Sequence, residues 1–158
     1  MPNVYSFIAW SGTGKTTYLE RLIAALKARG LRVAAVKHDA HRFELDREGK
    51  DSWRFARAGA DVVAIADGEK CAVMEYRPVG PAELLSRFRD VDVVLVEGWH
   101  EAAENPILLH RAGTGKPPKL PAEDCFAVVT DAPPEGCPVP CFPLDDPAPL
   151  AEFLLAQL

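Results

Sequence analysis

The stretch AWSGTGKTT, Ala9 to Thr17, decides how the chain is read. Its Gly12, Gly14, Lys15 and Thr16 follow the pattern GxxxxGK[ST], in which backbone N–H groups cradle phosphates, the lysine reaches the outer phosphates and the hydroxyl binds magnesium. One position departs from it: Ala9 stands where the pattern has glycine. The added methyl forbids little at negative φ and is costly at positive φ, so the sequence ties the working state of the loop to one backbone angle.

The neighbours on both sides fit the loop. Val4 to Ile8 is short, apolar and rich in strand formers, and it runs straight into the glycines. Beyond them, Leu19, Leu22, Ile23 and Leu26 fall at i, i+3, i+4 and i+7, on one face of a helix that Gly30 ends. Strand, loop and helix thus occur in the order a phosphate loop requires.

Strand and helix patterns alternate along the rest of the chain. Leu31 to Val36 reads as a strand, followed by the polar loop KHDAHRFELDREGKDS; Asp51 or Ser52 is placed to cap a helix through WRFARAG. Val62 to Ile65 and Cys71 to Tyr76 read as paired strands, and Pro81 to Phe88 as a helix with proline in its first turn. Val91 to Val96 is an apolar run suited to a strand covered on both faces, and further strands are expected at Ile107 to Leu109 and Phe126 to Val129. Leu150, Phe153, Leu154 and Gln157 are spaced for one face of a final helix, Pro149 to Leu158, whereas the Pro- and Gly-rich stretches Gly113 to Pro121 and Pro133 to Pro143 read as loops. This order favours an α/β, P-loop NTPase-like fold, a mostly parallel sheet with helices on both faces and ligands outside the carboxyl ends of its strands. The 158 residues are the length of a single nucleotide-binding domain, 1–158.

Composition narrows the function classes. With 48% hydrophobic and 26% charged residues the chain is built like a soluble globular protein. A formal net charge of -5 argues against general affinity for nucleic acid, which depends on clustered Lys and Arg. No apolar run approaches the roughly 20 residues that span a bilayer, and MPNVYSFIAW lacks the basic start of a signal peptide, so a cytoplasmic location is expected. There, Cys71, Cys125, Cys137 and Cys141 are expected as reduced thiols; Cys137 and Cys141 in CPVPC lack the second close pair of a zinc site.

The chemistry then falls on a small set of residues. Glu97, directly after the apolar run, takes the position of the acid that faces magnesium or its waters, while Asp92 sits at the far end of that strand. Lys15 and Glu97 are the expected catalytic pair, and Thr16 with Glu97 the expected magnesium side. Ser11, Gly12, Thr13, Gly14, Lys15, Thr16 and Thr17 form the phosphate loop. In the polar loop, Lys37 and His38 suit an anion or substrate, with Asp46 or Asp51 near magnesium; His38 and His41 lack a third ligand of transition-metal spacing.

Together these segments resemble a known family. VKHDAHRFELDREGKDSWRFARAGA and DVVLVEGWH, beside the phosphate loop, are similar to the hallmark segments of the molybdopterin-guanine dinucleotide biosynthesis adapter proteins, over most of residues 3 to 111. The resemblance implies a GTP-binding, weakly hydrolysing, dimeric protein that assists a partner guanylyltransferase in converting molybdopterin to its guanine dinucleotide form. Lys37, His38, Asp46, Asp51 and Ser52 match the second hallmark. Thr130-Asp131, after a strand, is a candidate base contact because Asp accepts two hydrogen bonds from guanine's N1 and N2 donors; an ordinary turn explains it equally well. A small-molecule kinase, with Arg54, Arg57, Arg87 or Arg89 on a lid, and an assembly factor for another metal centre are the alternatives. No arginine finger is evident in the sequence.

Overall fold

The structure is a computed structural model that describes residues 2–38, 43–100 and 103–158. It divides into two compact units, Met1–His38 with Ser86–Leu158, and Asp39–Leu85.

The larger unit is built on a six-stranded sheet. In chain order its strands are β1 (Asn3–Ile8), β2 (Val33–Lys37), β5 (Val93–Glu97), β6 (Pro106–His110), β7 (Ala127–Thr130) and β8 (Cys141–Pro143). They lie in the spatial order β2-β5-β1-β6-β7-β8, every pairing parallel. The order reverses around β1, and parallel sheets bind ligands at the carboxyl edge of such a reversal. Register fixes what stands there: Phe7 of β1 pairs with Glu97 of β5, and Glu97 with Lys37 of β2. In β5 the residues Val93, Val94, Leu95 and Val96 are all buried, as its unbroken apolar run requires.

Helix α1 (Lys15–Ala28) buries Tyr18, Leu19, Leu22 and Leu26 in a core with Tyr5, Phe7, Leu95, Ile107 and Val129. Leu22 and Leu26 are wholly inaccessible. Helix α4 (Ala148–Leu155) joins the same core through Leu150, Ala151 and Leu154, so α1 and α4 cover one face of the sheet. On the opposite face Leu108, Cys125 and Val128 pack with Leu120, Ala122, Val139 and Cys141. Gly30 ends α1 as expected, at φ 83°, its N–H donating to the Lys27 carbonyl.

The smaller unit holds α2 (Asp51–Arg57), the antiparallel hairpin β3 (Val62–Ala66) and β4 (Cys71–Glu75), and the short α3 (Pro81–Leu85).

Several expectations are corrected. Strand β8 lies within Pro133 to Pro143, expected as loop; a three-residue edge strand with proline at its end carries too little pattern to read. Neither Asp51 nor Ser52 caps α2: Lys50 is the N-cap, and Ser52 turns its hydroxyl to Asp46 instead. Helix α3 stops at Leu85 rather than Phe88, and α4 stops at Leu155, leaving Gln157 exposed beyond it.

Candidate functional site

The loop between β1 and α1 begins in the core. Ala9 is 3% exposed and belongs to the main apolar cluster. Among the described non-glycine residues only Asn105 has positive φ, so Ala9 is on the negative side, where its methyl costs no backbone strain. The bends that need freedom fall on Gly12 (φ 84°) and Gly14 (φ 93°). Left-handed residues alternating with ordinary ones turn successive N–H groups into one concavity, the geometry that receives phosphate. Thr13 closes the turn, its amide and hydroxyl both donating to the Trp10 carbonyl at 3.3 and 2.8 Å.

Gly14 is also the N-cap of α1, and no side chain caps the helix. The first-turn N–H groups of Lys15, Thr16 and Thr17 therefore add their partial positive charge to the concavity.

Glu97 brings the acid to this loop. The Thr16 hydroxyl donates to its carboxylate at 3.3 Å, and Lys15 Nζ lies 3.7 Å from Oε1. Burial pulls the Lys15 pKa down; Glu97 opposes this, while Lys119 and Lys37 add to it. The lysine thus stands among like charges, a field that a polyphosphate would relieve. A hydroxyl and a carboxylate are hard oxygen donors of the kind magnesium takes alongside phosphates and water.

After Glu97 the chain turns at Gly98, φ 91°, where a Cβ would collide with the His38 carbonyl. The His38 amide donates to the Glu97 carbonyl at 2.8 Å, and its ring stacks on Trp99 at 4.6 Å and 10°. Lys37 and His38 therefore stand beside the phosphate loop. Asp92 is at the opposite end of the sheet, as expected, accepting the Arg32 amide.

Asp46, Asp51 and Ser52 belong to the smaller unit. There Asp46 Oδ1 accepts from the Ser52 hydroxyl at 2.9 Å, its Oδ2 is buried without a hydrogen-bond partner among the described residues, and exposed Asp51 pairs with Arg54 at 3.7 Å. His41 lies outside the described residues, and these contain no group of three or more His, Cys, Asp or Glu able to hold a metal. The four cysteines are free thiols, as expected.

Sequence reasoning missed the segment after β6. Arg111 Nε donates to the Thr13 carbonyl at 3.1 Å, Lys116 Nζ to that of Ser11 at 3.3 Å and Lys119 Nζ to that of Ala9 at 3.4 Å. Its signal was three cations in a Gly- and Pro-rich stretch leaving a strand at the ligand edge. Lys119 also meets His100 Nε2 at 3.2 Å, and burial with the charge of Lys119 lowers the His100 pKa. A cavity of about 460 Å³, within the span of ligand pockets, opens between Arg111, Thr130, Asp131, Phe142 and Asp145. Asp131 does double duty at its rim, since Oδ1 accepts the Ala112 amide at 2.8 Å.

Comparison with known proteins follows the same outline. The profile of the family described as molybdopterin guanine dinucleotide synthesis protein B matches residues 4–131. The molybdopterin-guanine dinucleotide biosynthesis adapter protein of Haemophilus influenzae is 43% identical over 128 residues, 78% of this chain and 72% of that one. Its namesake from Escherichia coli is 37% identical over 95% of this chain and 90% of that one. Among solved structures, a molybdopterin-guanine biosynthesis protein B superposes with a TM-score of 0.72 at 31% identity, covering 98% of this chain and 99% of the other. The crystal structure of Bacillus subtilis MobB gives 0.76 at 28% identity, covering 100% of this chain and 98% of the other.

Proposed function

The chain belongs to the molybdopterin guanine dinucleotide synthesis protein B family, and on that premise we propose that it is a GTP-binding adapter acting in molybdenum cofactor biosynthesis. In this reading it assists a guanylyltransferase that joins GMP to molybdopterin, hydrolyses GTP slowly, and works in the cytoplasm as a homodimer. The observation that carries it is the convergence of Lys15, Thr16 and Glu97 on a glycine-bent, uncapped helix N-terminus.

Each residue then has a task. The N–H groups of the loop and of the first turn of α1 hold the phosphate chain, and Lys15 neutralises its outer oxygens. The Thr16 hydroxyl and the Glu97 carboxylate would hold magnesium on its protein side, and the ion would supply further charge neutralisation there. Ser11, Gly12, Thr13, Gly14 and Thr17 shape or line the same cradle, and Lys37 and His38 extend the polar edge. Asp46 and Asp51 match the family's second hallmark, and that resemblance alone is the ground for proposing that they act near the metal. The cavity at Thr130 and Asp131 is the proposed seat of the base, where the free lone pairs of the Asp131 carboxylate meet guanine's N1 and N2 donors.

Hydrolysis is slow in this reading because Glu97 serves the metal side rather than acting as a base for water, and no arginine finger is evident in the sequence. Calorimetric titration with GTP and ATP, each with magnesium, tests the nucleotide: GTP binds more tightly, and equal or preferential ATP binding overturns the guanine assignment. Reconstitution of a guanylyltransferase with molybdopterin and GTP, with and without this protein, tests the role. More guanine dinucleotide product is expected with it.

A further inference from the structure

Three cations of one segment grip one short loop. Arg111, Lys116 and Lys119 donate to the carbonyls of Thr13, Ser11 and Ala9, so the segment runs antiparallel to the loop and touches every second residue. The Trp10 indole N–H fastens the strap from the other side, donating to the Pro117 carbonyl at 2.9 Å, while Lys119 also lies 5.0 Å from the Trp10 ring centre. The strap is itself held: the Asp131 carboxylate accepts the Ala112 amide, the Thr114 hydroxyl donates to the Arg111 carbonyl, and Pro117 and Pro118 restrict the backbone.

The consequence follows from peptide geometry. In a trans peptide the carbonyl and the next N–H point in opposite directions, and the described residues include no cis bond. Turning the carbonyls of residues 9, 11 and 13 toward the strap turns the N–H groups of Trp10, Gly12 and Gly14 away from it. A cation on each carbonyl polarises that peptide and makes its N–H a stronger donor to an anion. Glycine at two of these three positions removes the side chain that would obstruct the approach, although glycine alone would leave the loop loose.

We propose that Arg111, Lys116 and Lys119 are positioning residues, a cationic brace that holds and polarises the phosphate loop so that its amides face a polyphosphate. The inference rests on the reading of the loop as a nucleotide site and extends it to the segment after β6. The brace acts on phosphates rather than on the base, so its contribution grows with the number of phosphates the loop must hold.

The test uses Lys116→Ala/Lys119→Ala in the full chain, leaving Arg111 intact because that residue also lines the neighbouring cavity. Affinities for GMP, GDP and GTP with magnesium, and for magnesium tripolyphosphate, are measured against wild type. GTP and tripolyphosphate binding weaken about tenfold, GDP less and GMP least, in line with the loss of two charged donors. The Lys116→Arg/Lys119→Arg variant restores most of the loss, which a merely steric role would not do. Equal loss for all three nucleotides, or no loss, overturns the brace. Should the double variant fold poorly, the single lysine variants carry the same ordering. Wild-type protein that binds tripolyphosphate but prefers ATP overturns the guanine reading and leaves the brace to be judged on tripolyphosphate alone.

Discussion

The amine of Lys15 lies 3.7 Å from the carboxylate of Glu97, both side chains 16% exposed, across the gap between the start of α1 and the end of β5. Two motif residues 82 positions apart are thus brought to one point by the parallel pairing of β1 with β5. The pair is placed to part when a more highly charged anion enters.

Replacing Lys15 with alanine removes the cation meant for the outer phosphates. GTP affinity should fall by about 2 kcal/mol or more, at least thirtyfold, while the fold persists because the helix loses only a partly exposed side chain. Titration calorimetry checks it; unchanged affinity would mean that the loop is not the site.

Gly98→Ala should damage stability. Positive φ and the collision with the His38 carbonyl act together, for a cost of about 1–3 kcal/mol. At this chain length each kcal/mol lowers the melting temperature by about 2–4 °C, which thermal denaturation resolves.

Asp131→Asn exchanges a carboxylate oxygen for an amide N–H while keeping an oxygen for the Ala112 amide. Guanine then loses an acceptor, whereas xanthine, with a carbonyl at the same carbon, gains a donor. GTP binding should weaken and XTP binding strengthen; if neither nucleotide responds, the base sits elsewhere.

The thiols give a prediction in pH. Burial, reinforced by Asp124, raises the Cys125 pKa from 9.0 to about 11, and burial with the neighbouring Cys137 does the same for Cys141. A raised thiol pKa favours the protonated form in the folded state, so this stabilisation is present below about pH 9 and is lost as pH rises through 11. Near pH 8 both thiols should be alkylated far more slowly than in the unfolded chain, about a hundredfold on thiolate fraction alone, and mass spectrometry after timed iodoacetamide treatment reads this out. Fast labelling of Cys125 would contradict its burial.

The hairpin offers a test of the proposed homodimer. Alternation puts Val62 and Ala64 of β3 on one face with Val73 of β4, and Val62 and Val73 are 54% and 60% exposed. That face also carries Glu75, opposite Val62, and a second copy laid against it would bury its exposed valines. If the proposed homodimer forms through this face, Val73→Lys shifts sedimentation toward the monomer without unfolding the chain; a wild-type monomer overturns the homodimer, and a dimer unchanged by the substitution places its interface on another surface.

Much of this site could be read from sequence because its parts are local. The loop glycines, the amphipathic α1 and the apolar β5 each show within a dozen residues, and Glu97 is placed by the strand it ends. Arg111, Lys116 and Lys119 were not legible as loop contacts. Their partners are main-chain carbonyls about a hundred residues away, and a carbonyl leaves no mark on side-chain pattern. Strand β8 and the Ser52–Asp46 bond escaped for related reasons, one too short for periodicity and the other a competitor for the side chain that capping would have used.

Ala9 gives the loop its mechanics. Because its methyl is packed in the core at negative φ, the chain is clamped up to residue 9, and bending is concentrated at Gly12 and Gly14. Alanine in place of glycine also narrows the unfolded ensemble, worth about 0.4–1 kcal/mol where the native angle allows it. In the proposed nucleotide site, the substitution makes the root of the loop an anchor rather than a hinge, so that rearrangement around an anion would fall to the residues that meet it.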